Sequence, residues 1–177
     1  MRFLGMYIGW LLLGVGVSLV NSQTYTPPDS LKLVTVAKQI MKKVRYCALI
    51  TVDSLGIPQA RIVDAFPPDS QLVVWIATNP RTRKVAQIQK NPEVTLFYWD
   101  PQGVSYVTLI GKATLVADPQ QKARFWKEDW KNFYSDRWSG DDYLLIRIIP
   151  LRVEVVSYEF GILNRPQDWL PPFVVFR

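Results

Sequence analysis

Short strand-like runs, each closed by a turn, constrain this chain more than any other feature. Cys47 to Asp53 is a β-rich run, and Ser54-Leu55-Gly56 turns it into Gln59 to Phe66. Pro67-Pro68-Asp69-Ser70 turns the chain again into Gln71 to Thr78. These spacings predict an antiparallel meander. Glu93 to Trp99 follows, then a turn at Asp100-Pro101-Gln102-Gly103 with proline at its second position. Val104 to Val116 is a long run in which Gly111 marks a bulge or bend. Its alternation predicts Ser105, Val107 and Leu109 on one face and Tyr106, Thr108 and Ile110 on the other. Tyr143 to Ile149 and Arg152 to Val156 flank Pro150, and the tail from Pro171 to Phe176 is expected to add an edge strand.

Helical patterns are fewer. Leu31, Val34, Ala37, Ile40, Met41 and Val44 recur at helical spacing after Asp29-Ser30, a predicted N-cap. Thr82 to Lys90 reads as a short helix stopped by Asn91-Pro92. Asp118-Pro119 opens a third, predicted to run to about Tyr134 and to bury Phe125, Trp126, Trp130 and Phe133. Strands outnumber helices and do not alternate with them. The expected class is therefore mainly β with inserted helices, a small closed or split barrel.

Composition narrows the chemistry. The 177 residues include no histidine. Triad catalysis and His-ligated zinc or haem are excluded with it. One cysteine, Cys47, excludes an internal disulfide and a cysteine-held metal cluster. With 21 Lys and Arg against 15 Asp and Glu, the net charge is +6, which favours anionic partners.

The first 22 residues read as a separate unit. Arg2 is their only charged side chain, and Phe3 to Val20 is uncharged and mostly apolar. Val20 and Ser22 suit a signal-peptidase site, so residues 1–22 are expected to be a signal peptide, or else an uncleaved N-terminal anchor. Residues 23–177 would then form a single exported domain, periplasmic or secreted, touching a membrane only if the segment stays attached.

Chemistry concentrates at Thr78-Asn79-Pro80-Arg81-Thr82-Arg83-Lys84, which joins a strand to a helix. A helix N-terminus carries partial positive charge, so basic residues in its first turn are unfavourable unless an anion neutralises them. Arg83 could grip a phosphate bidentately, Lys84 as a point charge and Thr82 through its hydroxyl. A solvated basic turn would show the same spacing. Arg61 sits among mostly apolar strand residues; it either turns inward and needs a partner or lies on the exposed face.

These pieces, in this order, resemble the flavin-binding split barrels of the pyridoxamine 5′-phosphate oxidase superfamily, and within it the general stress protein 26 group. The resemblance spans roughly residues 31–158 and rests on "PQARIVD", "WIATNPRTRKVAQIQKNPEVTLFYWD", "YVTLIGKATLV" and "DDYLLIRIIPLRVEVV". It implies a six-stranded antiparallel split β-barrel that dimerises and holds FMN at the subunit interface. By position, Arg61, Arg83 and Lys84 would hold the phosphate with Thr82. Ile62, Val63 and Asp64 would line the ring, with contacts from Ala77 and Thr78. Tyr106 falls where the oxidases place a glutamine near the ring. The oxidases' Arg-x-His substrate motif has no counterpart in a chain without histidine, and no lysine ends the Arg61 strand. The expectation is an FMN-binding oxidoreductase of unassigned substrate that is not a pyridoxamine 5′-phosphate oxidase proper. The alternative is a non-enzymatic barrel for another phosphorylated or flavin-like ligand, FAD or deazaflavin. No metal, haem or nucleic-acid partner is expected, because Arg124 to Lys131 reads as core-facing helix rather than a stacking surface.

Overall fold

The computed structural model describes residues 28–176, so the signal-peptide expectation for residues 1–22 lies outside the described residues. Helix α1 (Ser30–Lys43) is capped by Asp29, whose carboxylate accepts from Leu31 N at 3.2 Å. It buries Leu33, Val36, Ala37, Ile40 and Met41. Leu31, expected on that stripe, is 71% exposed in the first turn.

The strands are β1 (Tyr46–Val52), β2 (Pro58–Asp64), β3 (Val74–Thr78), β4 (Glu93–Asp100), β5 (Ser105–Val116), β6 (Leu144–Ser157) and β7 (Phe173–Val175). All pair antiparallel in one sheet, in the order β2-β1-β4-β5-β6-β3, with β7 also on β6. The path curls until Ala65, just past β2, meets Ile76 of β3 through a single bridge. The sheet is thus a split barrel rather than a closed one, its six strands joined by the edge strand β7 from the tail. β5 alternates as predicted: Ser105, Val107 and Leu109 point into the core, while Tyr106, Thr108 and Ile110 are partly exposed.

Three expectations are corrected. The meander fails at its third strand: β1 and β2 form a hairpin, but β3 pairs with β6, Val74 opposite Ile148 and Thr78 opposite Leu144. Pro67 and Pro68 supply no ladder donors, and the Asp69 carboxylate accepts from Gln71 N and Val73 N, which winds the turn and delays β3 to Val74. The two runs around Pro150 form one strand. Pro150 lies opposite Gly111 at a register shift, between the stretches of β6 paired to β3 and β7, where a ladder donor is dispensable. A Cβ on Gly111 would stand 2.6 Å from Ile149 O, which explains the glycine at that bulge.

The third correction concerns the segment after Val116. Helix α3 (Pro119–Arg124) ends after six residues, followed by one 3-10 turn at Glu128–Trp130. The Tyr143 hydroxyl donates to Phe125 O, and Phe66, Trp75, Phe125, Trp126, Trp130, Tyr134 and Tyr143 gather into one aromatic cluster. A straight helix shows a stripe to one surface; these rings surround one another instead. Phe133, expected buried, is 76% exposed. The main core lies inside the barrel, with Leu49, Ile76, Leu96, Leu109, Ile146 and Val153 fully buried. Helix α2 (Arg83–Lys90) closes one end over β1 and β5. No helix among the described residues is long and apolar enough to cross a membrane.

Candidate functional site

The split between β2 and β3 opens into a cleft of about 590 Å³. Eight residues singled out in the sequence line it: Arg61, Ile62, Val63 and Asp64 from β2, Ala77 and Thr78 from β3, and Thr82 and Lys84 at the start of α2. The connection from Asn79 to Thr82 is locally determined. The Asn79 side chain accepts from Arg81 N at 2.9 Å, and Asn79 O accepts from Thr82 N and from the Thr82 hydroxyl. Thr82 is the N-cap of α2, yet its hydroxyl is spent on Asn79, so no side chain caps the helix.

Arg61 turns inward. Its guanidinium donates to Thr51 Oγ1 at 2.5 Å, Gln87 Oε1 at 3.0 Å and Leu49 O at 3.3 Å. Lys84 Nζ donates to Thr78 Oγ1 at 2.9 Å and Thr82 Oγ1 at 3.2 Å. All these acceptors are neutral. Among the described residues, neither side chain nor that of Arg83 pairs with a carboxylate. Burial, then the charge of Arg83, pulls Arg61 below the usual arginine value. Burial, then the charge of Arg61, does the same to Lys84.

The other end of the cleft is charge-balanced. Asp64 accepts from Arg45 and from Lys127, each at 2.7 Å, and Arg45 also reaches Asp129 at 2.9 Å. Burial pushes the Asp64 carboxyl up, but the hydrogen bonds from Arg45 and Lys127 outweigh it and leave the value below the ordinary one. Trp130, Phe133 and Tyr134 form the wall there. Burial raises the Tyr134 hydroxyl to about 12.

Two residues singled out in the sequence lie elsewhere. Arg83 lines an adjacent smaller cavity with Asp53, Gln59 and Gln87. Tyr106 sits on the outer face of β5, its ring 5.6 Å from that of Phe97. The sequence reading missed Arg45, Tyr46, Asn79, Asp129, Trp130, Phe133 and Tyr134. Asn79 was within reach, since Asn before Pro-Arg is a turn signal. The last four depended on the irregular path after Arg124, which no local pattern announced. Among the described residues no acidic or cysteine cluster could hold a metal.

An open split barrel with a half-buried basic pair at its opening defines the class of protein. The chain belongs to the pyridoxamine 5′-phosphate oxidase family, whose sequence pattern it matches over residues 33–157. It is 30% identical over 126 residues to the pyridoxine/pyridoxamine 5′-phosphate oxidase of Legionella pneumophila strain Paris, a match covering 68% of this chain and 58% of that protein. The chain thus spans less than two thirds of the length of that relative. Among solved structures it is similar to general stress protein 26 from Bacillus anthracis str. Sterne (TM-score 0.66, 23% identity, 81% of this chain and 98% of that one). It is also similar to a pyridoxamine 5′-phosphate oxidase-related, FMN-binding protein from Nostoc punctiforme (TM-score 0.55, 15% identity, 83% and 95%). Both likenesses bear on the fold.

Proposed function

We propose that the cleft binds FMN and that the protein is a flavin-dependent oxidoreductase. One observation carries this reading: Arg61 and Lys84 converge on the cleft, half-buried, with neutral acceptors and no carboxylate. A buried cation without a counter-charge is costly, and an anion from outside removes that cost. The donor set fits a phosphate monoester: a guanidinium, an ammonium and the uncapped first turn of α2, with the Thr78 and Thr82 hydroxyls beside them able to turn from each other and Asn79 O to the ligand. Arg61, Lys84, Thr78 and Thr82 hold the phosphate in this reading. Arg83 adds positive field from the adjacent cavity, and Ile62, Val63, Asp64 and Ala77 line the ring. FMN when bound supplies hydride and electron transfer, and the protein supplies binding and orientation. Both Asp64 oxygens already accept hydrogen bonds and burial holds the Tyr134 hydroxyl protonated at neutral pH, so neither is a ready base.

In this reading the substrate differs from that of the pyridoxamine 5′-phosphate oxidases, because these 177 residues supply no histidine for the Arg-x-His motif. A second copy of the chain is proposed to cover the outer sheet face, where Ile62, Tyr46, Phe97 and Trp99 are 69%, 55%, 36% and 47% exposed on neighbouring strands. Tyr106, opposite Trp99 across β4 and β5, belongs to that face. Export is proposed on the apolar run from Phe3 to Val20 alone.

The experiment is reconstitution of the purified domain with FMN, followed by fluorescence titration and an absorbance spectrum. Quenching of flavin fluorescence at one FMN per chain is the expected result. No binding of FMN by the folded protein, or selective binding of FAD, a deazaflavin or haem, overturns the assignment.

A further inference from the structure

A second cavity, of about 580 Å³, shares no lining residue with the first. It opens beside β3 and β6, where Trp75 and Arg147 are cross-strand partners, and α3 contributes Gln121 and Arg124 to its wall. Its floor is aromatic. Trp75 and Phe125 stack with ring centroids 4.4 Å apart and planes 20° from parallel. Two guanidiniums lie on that stack, Arg124 at 5.4 Å from the Phe125 ring and Arg147 at 5.9 Å from the Trp75 ring. Among the described residues neither arginine pairs with a carboxylate. The cavity's own carboxylate, Asp69, is engaged by the backbone N–H groups of Gln71 and Val73.

The charge and shape define a ligand. A guanidinium lying on a ring uses its face and leaves its in-plane N–H donors free, and those donors match the two oxygens of a carboxylate. Two arginines against one aspartate leave a single positive charge in the cavity, which suits a monoanion rather than a doubly charged phosphate. Trp75 and Phe125 each give a face to the other, so a flat ring is received edge-on against their rims. We propose that this cavity is a second binding site, for an aromatic monocarboxylate whose ring lies against Trp75 and Phe125 and whose oxygens accept from Arg124 and Arg147. The site is separate from the flavin reading and does not rest on it.

Calorimetric titration with two matched probes tests the site: 2-naphthoate, and 2-naphthol, which keeps the ring and loses the carboxylate. The full chain is first saturated with FMN, so that the probes cannot enter the first cleft. If the chain takes no FMN, the Arg61→Gln/Lys84→Gln variant is used instead, which separates failure of the flavin reading from failure of this one. Naphthoate is expected to bind about tenfold or more tightly than naphthol. Arg124→Gln with Arg147→Gln is expected to remove that advantage and leave naphthol binding in place. Equal affinity for the two probes, no binding of either, or an undiminished naphthoate preference in the double variant overturns the proposal. Should the double variant fail to fold, the comparison of probes on the unaltered chain decides alone.

Discussion

The two ends of the first cleft contain the same kinds of side chain in opposite states of balance. At one end Arg61 and Lys84 rest on hydroxyl, amide and carbonyl oxygens. At the other, Arg45 and Lys127 converge on Asp64, and Arg45 extends to Asp129. The difference is the carboxylate. The balanced end is paired within the chain itself, and there hydrogen bonds to Asp64, then Asp129, raise the Arg45 value. The unbalanced end is pulled the other way, with Arg61 and Lys84 both shifted toward losing their protons. A fold that keeps two uncompensated cations half-buried sacrifices stability there, and binding of an anion recovers it.

The largest effect should come from removing that imbalance. Arg61→Gln with Lys84→Gln deletes two charge-assisted contacts, each worth about 1.5–3 kcal/mol. FMN affinity measured by fluorescence titration should fall about a hundredfold or more. The ligand-free variant should melt no lower than the parent, because the substitutions also remove uncompensated charge. A large drop in the melting temperature of the ligand-free protein, with FMN affinity retained, would mean that these cations serve the fold rather than a ligand.

How much of this contrast was legible in the sequence depends on the range of the interactions. Arg61 to Asp64 and Thr78 to Lys84 are contiguous stretches, and a strand followed by a helix start places most of them together without reference to the rest of the chain. Helix phase was not resolved by counting charges. Successive helical residues point about 100° apart, so of Arg83 and Lys84 only Lys84 faces the cleft. Strand existence was legible from alternation and turns, yet the partner of β3 was not. Its pairing with β6 joins residues about 70 positions apart in the chain, Val74 with Ile148. The balanced end depends on such distant contacts throughout: Arg45, Asp64 and the pair Lys127 and Asp129 come from three separate places, the last of them in the segment misread as helix.

The next effect, smaller and on stability, belongs to the balanced end. Asp64→Asn leaves Lys127 without its carboxylate and Arg45 with Asp129 alone. The loss should be about 1–2 kcal/mol, since the side chain is only 16% exposed and accepts from two cations. The folded-state value of Asp64 lies below its unfolded one, so the stabilisation is present above about pH 4 and is lost as pH falls through the depressed value. Denaturant midpoints followed from pH 7 to pH 3 should fall less steeply in Asp64→Asn than in the parent. Parallel curves would show that the Asp64 pairs contribute nothing, and the balance at this end would then be geometry without energy.

The smallest effect sharpens the contrast at the opposite limit of pH. The Lys84 value in the folded chain is depressed below the ordinary lysine value of about 10.4. Between those two values the unfolded chain holds more protons than the folded one, so stability rises with pH across that window. The sign is opposite to that for a lysine paired with a carboxylate, whose contribution is lost as pH rises. In the proposed complex FMN would supply the missing negative charge and should flatten or reverse the slope, and Lys84→Gln should flatten it in the ligand-free chain. The check is the melting temperature across the alkaline range for the parent with and without FMN and for Lys84→Gln. A parent slope unchanged by both FMN and the substitution would separate Lys84 from the phosphate and leave Arg61 alone in that role.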